Sequence, residues 1–514
     1  MSQRSRALDA AFQQAARLHA AGRLAEAEAF YRRILAAAPS HGDARHGLGV
    51  LALQTGHPED ALAHIDAALA RDPRAALFHA NRANALLALG RAPDAEAACR
   101  EAIRLKRNAA EAWASLGHAL SDLGRPEEAI EAYRTALQHN PRLPELHTGI
   151  GLALHDAARL EEAEAALEEA ARRAPGDPVA ALNLASLRKD RGKLVEAEAD
   201  YRALIARDPA DAAAHHNLGV LLLLAGRHAE GWPEWDWRFR AEPHTDRRLP
   251  AGEWRGEALA GRSLFVHAEQ GIGDLIHFAR FLPMLPRDGR VLVETPPALR
   301  RLFAQLPGIT ELVPLGTRPP PHDLKVAFMS LPGRLPIAAT ADRAAPVPYF
   351  TPERDAVAAW RARLAALPGR RVGLVFAGNP GLVRMDRRRS IPPALLAPLD
   401  AVADVTFVSL QKPAPATPPP LRRWVDPTAD LGDFADTAAL IAALDLVIGV
   451  DTAVVHLAGA LGAPVWLLNR ADTDWRWGVG RDDTPWYPTL RQFRQPRPGD
   501  WPSVIAAVAA ALAA

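Results

Sequence analysis

Small residues and turn formers recur on a fixed beat through the first half of the chain. Gly22, Gly56, Gly90, Gly124, Gly192 and Gly226 lie 34 residues apart or a multiple of that, with Ala158 in the one remaining place. Ala27, Ala61, Ala95, Ala129, Ala163 and Ala197 keep the same beat, and Gly231 ends that series. Pro39, Pro73, Pro141, Pro175, Pro209 and Pro243 close the units, with Arg107 the exception. Glycine permits a tight turn between two helices, a small residue lets the helices approach, and proline stops the second one. Three phased series predict an array of about seven helical pairs over residues 1–243. Aromatic residues crowd the last pair at Trp232, Trp235, Trp237 and Phe239, and are expected to pack against whatever follows.

Beyond a polar connector at 244–262, where Trp254 is a candidate anchor, the period changes. Short β-branched runs at 263–267, 290–294, 309–314 and 323–328 alternate with helical stretches at 274–285 and 297–305. A second set of strands is read at 371–377, 405–410, 446–450 and 464–468, with helices from 392, over 433–443 and over 453–461. Such alternation predicts parallel sheets flanked by helices, in two α/β halves at 263–352 and 353–514. Ligands of open parallel sheets bind at the carboxyl ends of the strands.

The second half has its clearest candidate at Asp445 to Leu468, read as strand, turn, helix, strand. Asp451 and Thr452 are good helix caps, and a helix start offers free N–H groups and partial positive charge to an anion such as a diphosphate. Ala453 and Val454 open that helix, and His456 shares a face with Thr452. The plain alternative is an ordinary βαβ unit with Asp451 only a cap. Other loops at the same edge carry Gly378 and Asn379, then Arg384, Arg387, Arg388 and Arg389, and Lys412 after the next strand. Guanidinium groups there suit bidentate phosphate recognition, though arginine runs are commonly just solvated. In the first half the loop Gln270-Gly271-Ile272-Gly273 precedes Asp274. A third glycine is missing, since position 276 is Ile276, so a dinucleotide fingerprint is not supported. Asp274 either caps its helix, acts as a general base at the cleft, or does both. Trp475, Trp477, Trp486 and Tyr487 either stack on a ligand ring or pack the halves together.

Composition narrows the choice. The chain of 514 residues has net charge +1, without the basic excess of nucleic-acid binders. The single Cys99 excludes an intrachain disulfide and a cysteine-only metal site, and is expected to pack as a small apolar residue. His41, His46, His215 and His216 lack metal-ligand spacing and are expected at packing or surface positions. No apolar leader is seen at 1–20, and the longest apolar runs, 218–225 and 504–514, are too short to span a bilayer, so a cytoplasmic protein is expected.

The repeat units, such as AEAWASLGHALSDLGRPEEAIEAYRTALQHNP at 110–141, resemble the tetratricopeptide repeat (TPR). The resemblance implies an α-solenoid, a right-handed superhelix with a concave face for a protein or peptide partner. The segments HAEQGIGDLIHFARFLP, VGLVFAGNP with RRRSIP, FVSLQK, DFADTAALIAALDLVIGVDTAVVHLAGALGAPVW and DWRWGVGRDDTPWYPTLRQFRQ resemble the glycosyltransferase family 9, heptosyltransferase-like module over 263–497. That implies an α + α/β chain in which the solenoid precedes a GT-B module of two Rossmann-like halves. It further implies inverting sugar transfer from a nucleotide-sugar without metal or other cofactor. By the same resemblance Asp274 matches the catalytic base, Arg389 the basic residue on the donor phosphates, and Asp451, Thr452, Ala453 and His456 the donor segment. Two departures stand out. The family's lysine is Arg389 here, and its glycine is Ala453. The first half is also shorter than in full-length heptosyltransferases. The competing expectation is a scaffold whose α/β module binds sugar-nucleotide without turnover.

Overall fold

A computed structural model describes residues 3–143, 145–242, 247, 249–336, 346–378 and 388–514. The chain divides into two compact units, Met1–Leu187 and Arg188–Ala514. Among the described residues no helix is long and apolar enough to cross a membrane.

The first unit is helical hairpins, from α1 (Gln3–Ala20) and α2 (Leu24–Ala37) through α3 (Gly42–Gln54), α4 (Pro58–Leu69), α5 (Ala76–Ala88), α6 (Ala92–Leu105), α7 (Ala110–Asp122), α8 (Pro126–His139), α9 (Glu145–Asp156) and α10 (Leu160–Arg173). The three series do what their chemistry dictates. Gly22, Gly56, Gly90 and Gly124 turn between helices at φ of 72°, 78°, 69° and 67°, and Ala158 takes the same left-handed conformation at φ 60°. Ala27, Ala61, Ala95, Ala129 and Ala163 are fully buried where paired helices touch. Cys99 is buried in the same seam, and burial pushes its thiol up to about 12. His46 stacks on Phe78 at 4.3 Å, and His41 accepts the Ala44 N–H at the start of α3, so both serve packing and capping.

Helix α11 (Pro178–Asp190) runs across the boundary, and the second unit goes on with α12 (Leu194–Arg207), α13 (Ala212–Leu224) and α14 (His228–Trp235). The compact boundary falls inside the repeats, because these last hairpins share a core with the α/β part. Trp232 and Trp235 are buried, and Trp232 meets Trp475 edge-on at 5.4 Å and Phe278 at 6.1 Å. Trp237 instead stacks on His215 at 3.9 Å, and Phe239 lies under the Arg238 guanidinium at 4.1 Å.

Two all-parallel sheets follow. The first has the order β1-β5-β2-β3-β4, built from β1 (Gly252–Glu253), β2 (Ser263–His267), β3 (Arg290–Thr295), β4 (Glu311–Pro314) and β5 (Leu324–Ala327). β1 lies inside the expected connector and pairs with β5, while Trp254 is fully buried beside it. The second sheet has the order β11-β10-β9-β6-β7-β8, from β6 (Arg370–Val375), β7 (Val405–Ser409), β8 (Trp424–Val425), β9 (Leu446–Val450), β10 (Val465–Asn469) and β11 (Leu490–Arg494). Alternation sorts its side chains. Leu446, Ile448 and Val450 face a core closed by the helix Trp501–Ala513, and Val447 faces the core shared with the first sheet. In each sheet the chain runs outward from a central strand and returns to that strand's other side. The reversal falls between β2 and β5 and between β6 and β9, which opens a crevice at those carboxyl ends. The stretch expected as one helix at 274–285 is an α-helix, Ile272–Phe278, and a 3-10 turn, Ala279–Met284, because Pro283 cannot continue an α-helical ladder.

Candidate functional site

Two loops meet where the sheets face each other. After β2 the chain passes through Ala268 and Glu269 to Gln270, which sits at φ 57°, and Gly271 then starts the helix Ile272–Phe278. After β9, Asp451 leads to Thr452, the N-cap of the helix Ala453–Ala460. These pieces touch. A Cβ on Gly273 would lie 3.1 Å from His456 Cδ2 and 3.4 Å from Ala453 Cα, so a side chain there would press the two loops apart. The carboxylate expected from the first sheet and the helix start expected from the second therefore share one crevice.

Asp274 does cap its helix. Its Oδ2 accepts the Gly271 N–H at 3.0 Å. Its Oδ1 accepts Arg476 Nη2 at 2.5 Å, and Arg476, itself buried, also holds Asp474 at 2.9 Å. Burial opposes the charge on Arg476, and the carboxylates of Asp474, Asp274 and Asp451 outweigh it, so the guanidinium is held more firmly protonated than a free one. Arg476 carried no signal of its own in the sequence, because its meaning comes from a partner about two hundred positions away.

The second half places the remaining candidates at the carboxyl edge. Thr452 does not cap with its side chain: its Oγ1 is buried with no partner. A hydroxyl left unbonded at a helix start is the kind of group a bound anion would satisfy. Arg389 Nη1 donates to the Asp451 carbonyl at 3.1 Å, and Arg388 Nη1 to Asp472 at 3.1 Å, so both reach this edge. Asn379, Arg384 and Arg387 lie outside the described residues. Gly378 N–H bonds Ser390 Oγ at 3.0 Å, and Gln411 Oε1 takes the N–H groups of Phe376 and Ala377, which fixes the three residues just past β6. Lys412 donates to the Leu431 carbonyl. Ala453 and Val454 are half-buried at the helix start. Asp451 is not the cap that one reading expected. Its Oδ1 lies 3.5 Å from His456 Nε2, and although burial opposes ionisation, the hydrogen bond from His456 holds the carboxyl below the usual range.

Behind this edge runs a buried polar chain. His456 Nδ1 and His277 Nδ1 each lie 3.0 Å from Tyr487 Oη. The hydroxyl has one proton, so it donates to one ring and accepts from the other. With His456 Nε2–H toward Asp451, its Nδ1 accepts from Tyr487, and His277 Nδ1–H donates to Tyr487. That leaves His277 Nε2 a bare lone pair, consistent with its lack of any partner. Burial, then the nearby Arg280 and Arg476 charges, push His277 well below the usual imidazole range and so keep it neutral. Trp475, Trp477, Trp486 and Tyr487 are all buried, so they pack the halves together. Among the described residues no group of three or more His, Cys, Asp or Glu side chains is placed to hold a metal ion.

The crevice is braced from the short helix Arg238–Ala241 that follows α14. Arg238, buried, grips Glu269 with two bonds, Nη2 to Oε1 at 2.6 Å and Nε to Oε2 at 2.9 Å, and also reaches Ser330 at 2.8 Å and Asp236 at 3.0 Å. Glu269 takes the Met329 N–H at 2.9 Å as well. Glu269 is thus pinned immediately before the strained Gln270 and the loop that carries Asp274.

Comparison with known proteins agrees with these two layers. The tetratricopeptide-repeat family matches residues 46–110, 115–178 and 182–235. Glycosyltransferase family 9 (heptosyltransferase) matches 431–498, from the end of the 3-10 turn before Asp433 to just past β11. The two family models match separate parts of the chain, the repeats and a C-terminal segment of the α/β part, and neither match reaches half of its length. Protein FlbA of Caulobacter vibrioides is 31% identical over 323 residues, covering 57% of this chain and 54% of that protein. The chain therefore spans about half the length of that curated relative. Among solved structures, a tetratricopeptide repeat protein from Parabacteroides merdae aligns with 47% of this chain and 95% of its own at 17% identity and TM-score 0.40. Pseudomonas aeruginosa pilF aligns with 42% and 98% at 22% identity and TM-score 0.37. Both likenesses are too partial to bear on the crevice.

Proposed function

We propose that the chain transfers a sugar from a nucleotide-sugar to an acceptor hydroxyl, with inversion, while its repeats recruit a protein partner or acceptor. The observation that carries this is the contact of Gly273, next to Asp274, with Ala453 and His456 at the opposing helix start. In this reading Asp274 takes the acceptor proton as the acceptor oxygen attacks the anomeric carbon from the face opposite the leaving diphosphate. Arg389, the helix start and the unbonded Thr452 hydroxyl meet the charge that develops on that diphosphate, so the step calls on no metal. Ion pairing with Arg476 then keeps Asp274 aimed until an acceptor displaces it. The test is Asp274→Asn assayed against a panel of nucleotide-sugars. Turnover should fall by roughly 10²–10⁴-fold with donor binding retained. Transfer at the wild-type rate would remove Asp274 from the role.

A second reading has its own support. Both Asp274 oxygens are already engaged, and Ala453 stands against Gly273 where extra atoms crowd the crevice. Under it the α/β part is a non-catalytic scaffold that binds sugar-nucleotide. Thermal stabilisation by a UDP-, GDP- or ADP-sugar without release of free nucleotide favours the scaffold, and stabilisation with release favours the enzyme.

A further inference from the structure

We infer that the repeats hold a built site for an acidic peptide segment, centred on Arg107 and Trp113. It deepens the partner-recruiting half of the proposal above and stands apart from the transfer chemistry. Arg107 occupies the closing position that is proline at 39, 73, 141, 175 and 209. Six residues later the side chain ties back to the carbonyl at that position in four units: Arg45 to Pro39 at 3.1 Å, His79 to Pro73 at 2.9 Å, Trp113 to Arg107 at 2.9 Å and His215 to Pro209 at 3.2 Å. Trp113 is therefore fixed by the same bond as its sisters but presents an indole where they present smaller groups.

A cavity of about 570 Å³ opens at this place, bounded by Arg100, Ile103, Arg104, Arg107, Trp113, Leu116 and His139. Its floor is apolar, from Ile103, Trp113 and Leu116, and its rim is three guanidinium groups and an imidazole, with no carboxylate in the lining. The volume is that of a small-ligand or side-chain pocket. Arg100 and Arg104 are held by Glu96 at 2.7 Å and Glu101 at 2.6 Å, whereas Arg107 makes no ion pair among the described residues. Arg107 is thus the cation open to an incoming carboxylate, which a guanidinium binds through two bonds. Glu96 and Glu101 lie outside the lining but neutralise Arg100 and Arg104, which disfavours a continuous phosphate backbone and suits a peptide carrying a few acidic side chains around an apolar one.

The experiment uses the whole chain without any sugar-nucleotide, so its outcome is independent of transferase activity. The probe is a fluorescein-labelled twelve-residue peptide of glutamate and aspartate with two central leucines, read by anisotropy at low salt. Arg107→Pro and Trp113→His each install the residue that sister units already carry, and retained helical circular dichroism confirms the fold. Wild type should bind with salt-sensitive affinity, and each variant should weaken binding by about tenfold, the value of one lost charge-assisted contact. Equal binding by wild type and both variants overturns the site, as does no binding at low salt. Equal or tighter binding of a lysine-substituted peptide, or of a single-stranded RNA, also overturns it.

Discussion

Ala158 shows how far a single backbone angle reaches. Five glycines of its series turn with nothing within 4 Å of where a Cβ would stand, so what glycine supplies there is conformational freedom alone. Ala158 holds the same conformation with a methyl group at φ 60°. Ala158→Gly should stabilise the first unit and Gly90→Ala should destabilise it, each by about 1 kcal/mol, measured by urea unfolding. Opposite signs at equivalent positions are the expectation, and equal signs would show that the turn is not the cause. Positions of this kind were legible in the sequence because each acts on its own backbone. Tyr487 was not. Its role comes from His277 and His456, and its ring lies where a Cβ on Gly459 would approach within 2.5 Å. Tyr487→Phe keeps that packing and strands two buried imidazole nitrogens. A loss of roughly 1–3 kcal/mol in thermal or urea unfolding is expected. A neutral result would mean that the hydroxyl is not shared as described.

At the scale of elements, periodicity located the main strands closely, because β-branched runs bounded by glycine and proline leave few alternatives. It missed β1, β8 and β11. The first two are only two residues long, and β11 reads Leu490-Arg-Gln-Phe-Arg494, whose polar residues mask a strand buried by Gln492 contacts and by the neighbouring helix. The pinning of the Asp274 loop also lay beyond reach, since Glu269 looks like a surface residue until Arg238 is beside it. Removing one partner of a buried ion pair leaves the other without compensation. Arg238→Ala is therefore expected to cost roughly 3–5 kcal/mol. Arg238→Lys, which keeps the charge but loses the two-pronged geometry, should retain more of the fold. Differential scanning calorimetry of the two variants checks both, and equal melting temperatures for wild type and Arg238→Ala would refute the clamp.

Over the whole molecule, acid should act through histidines before it acts through carboxylates. Burial pushes His46, His216 and His267 down to about 4, while the unfolded chain protonates them near 6.5. Between those values the unfolded state binds protons that the folded state refuses. Stability is then full above pH 6.5, declines as pH falls toward 4, and levels off below it for these groups. Urea midpoints measured from pH 7.5 to 4.5 should fall steadily, and a flat profile would contradict the burial of these rings. The division of the chain at residue 187 has a consequence for how such a chain diversifies. A recombination event upstream of residue 188 can add or delete helical pairs in whole steps and leave every contact of the crevice in place. One that cuts after the final hairpin would bare Trp475 and Phe278 and orphan Glu269. Lineages should therefore vary freely in the number of early repeats and inherit the last hairpins together with the α/β part as a single cassette.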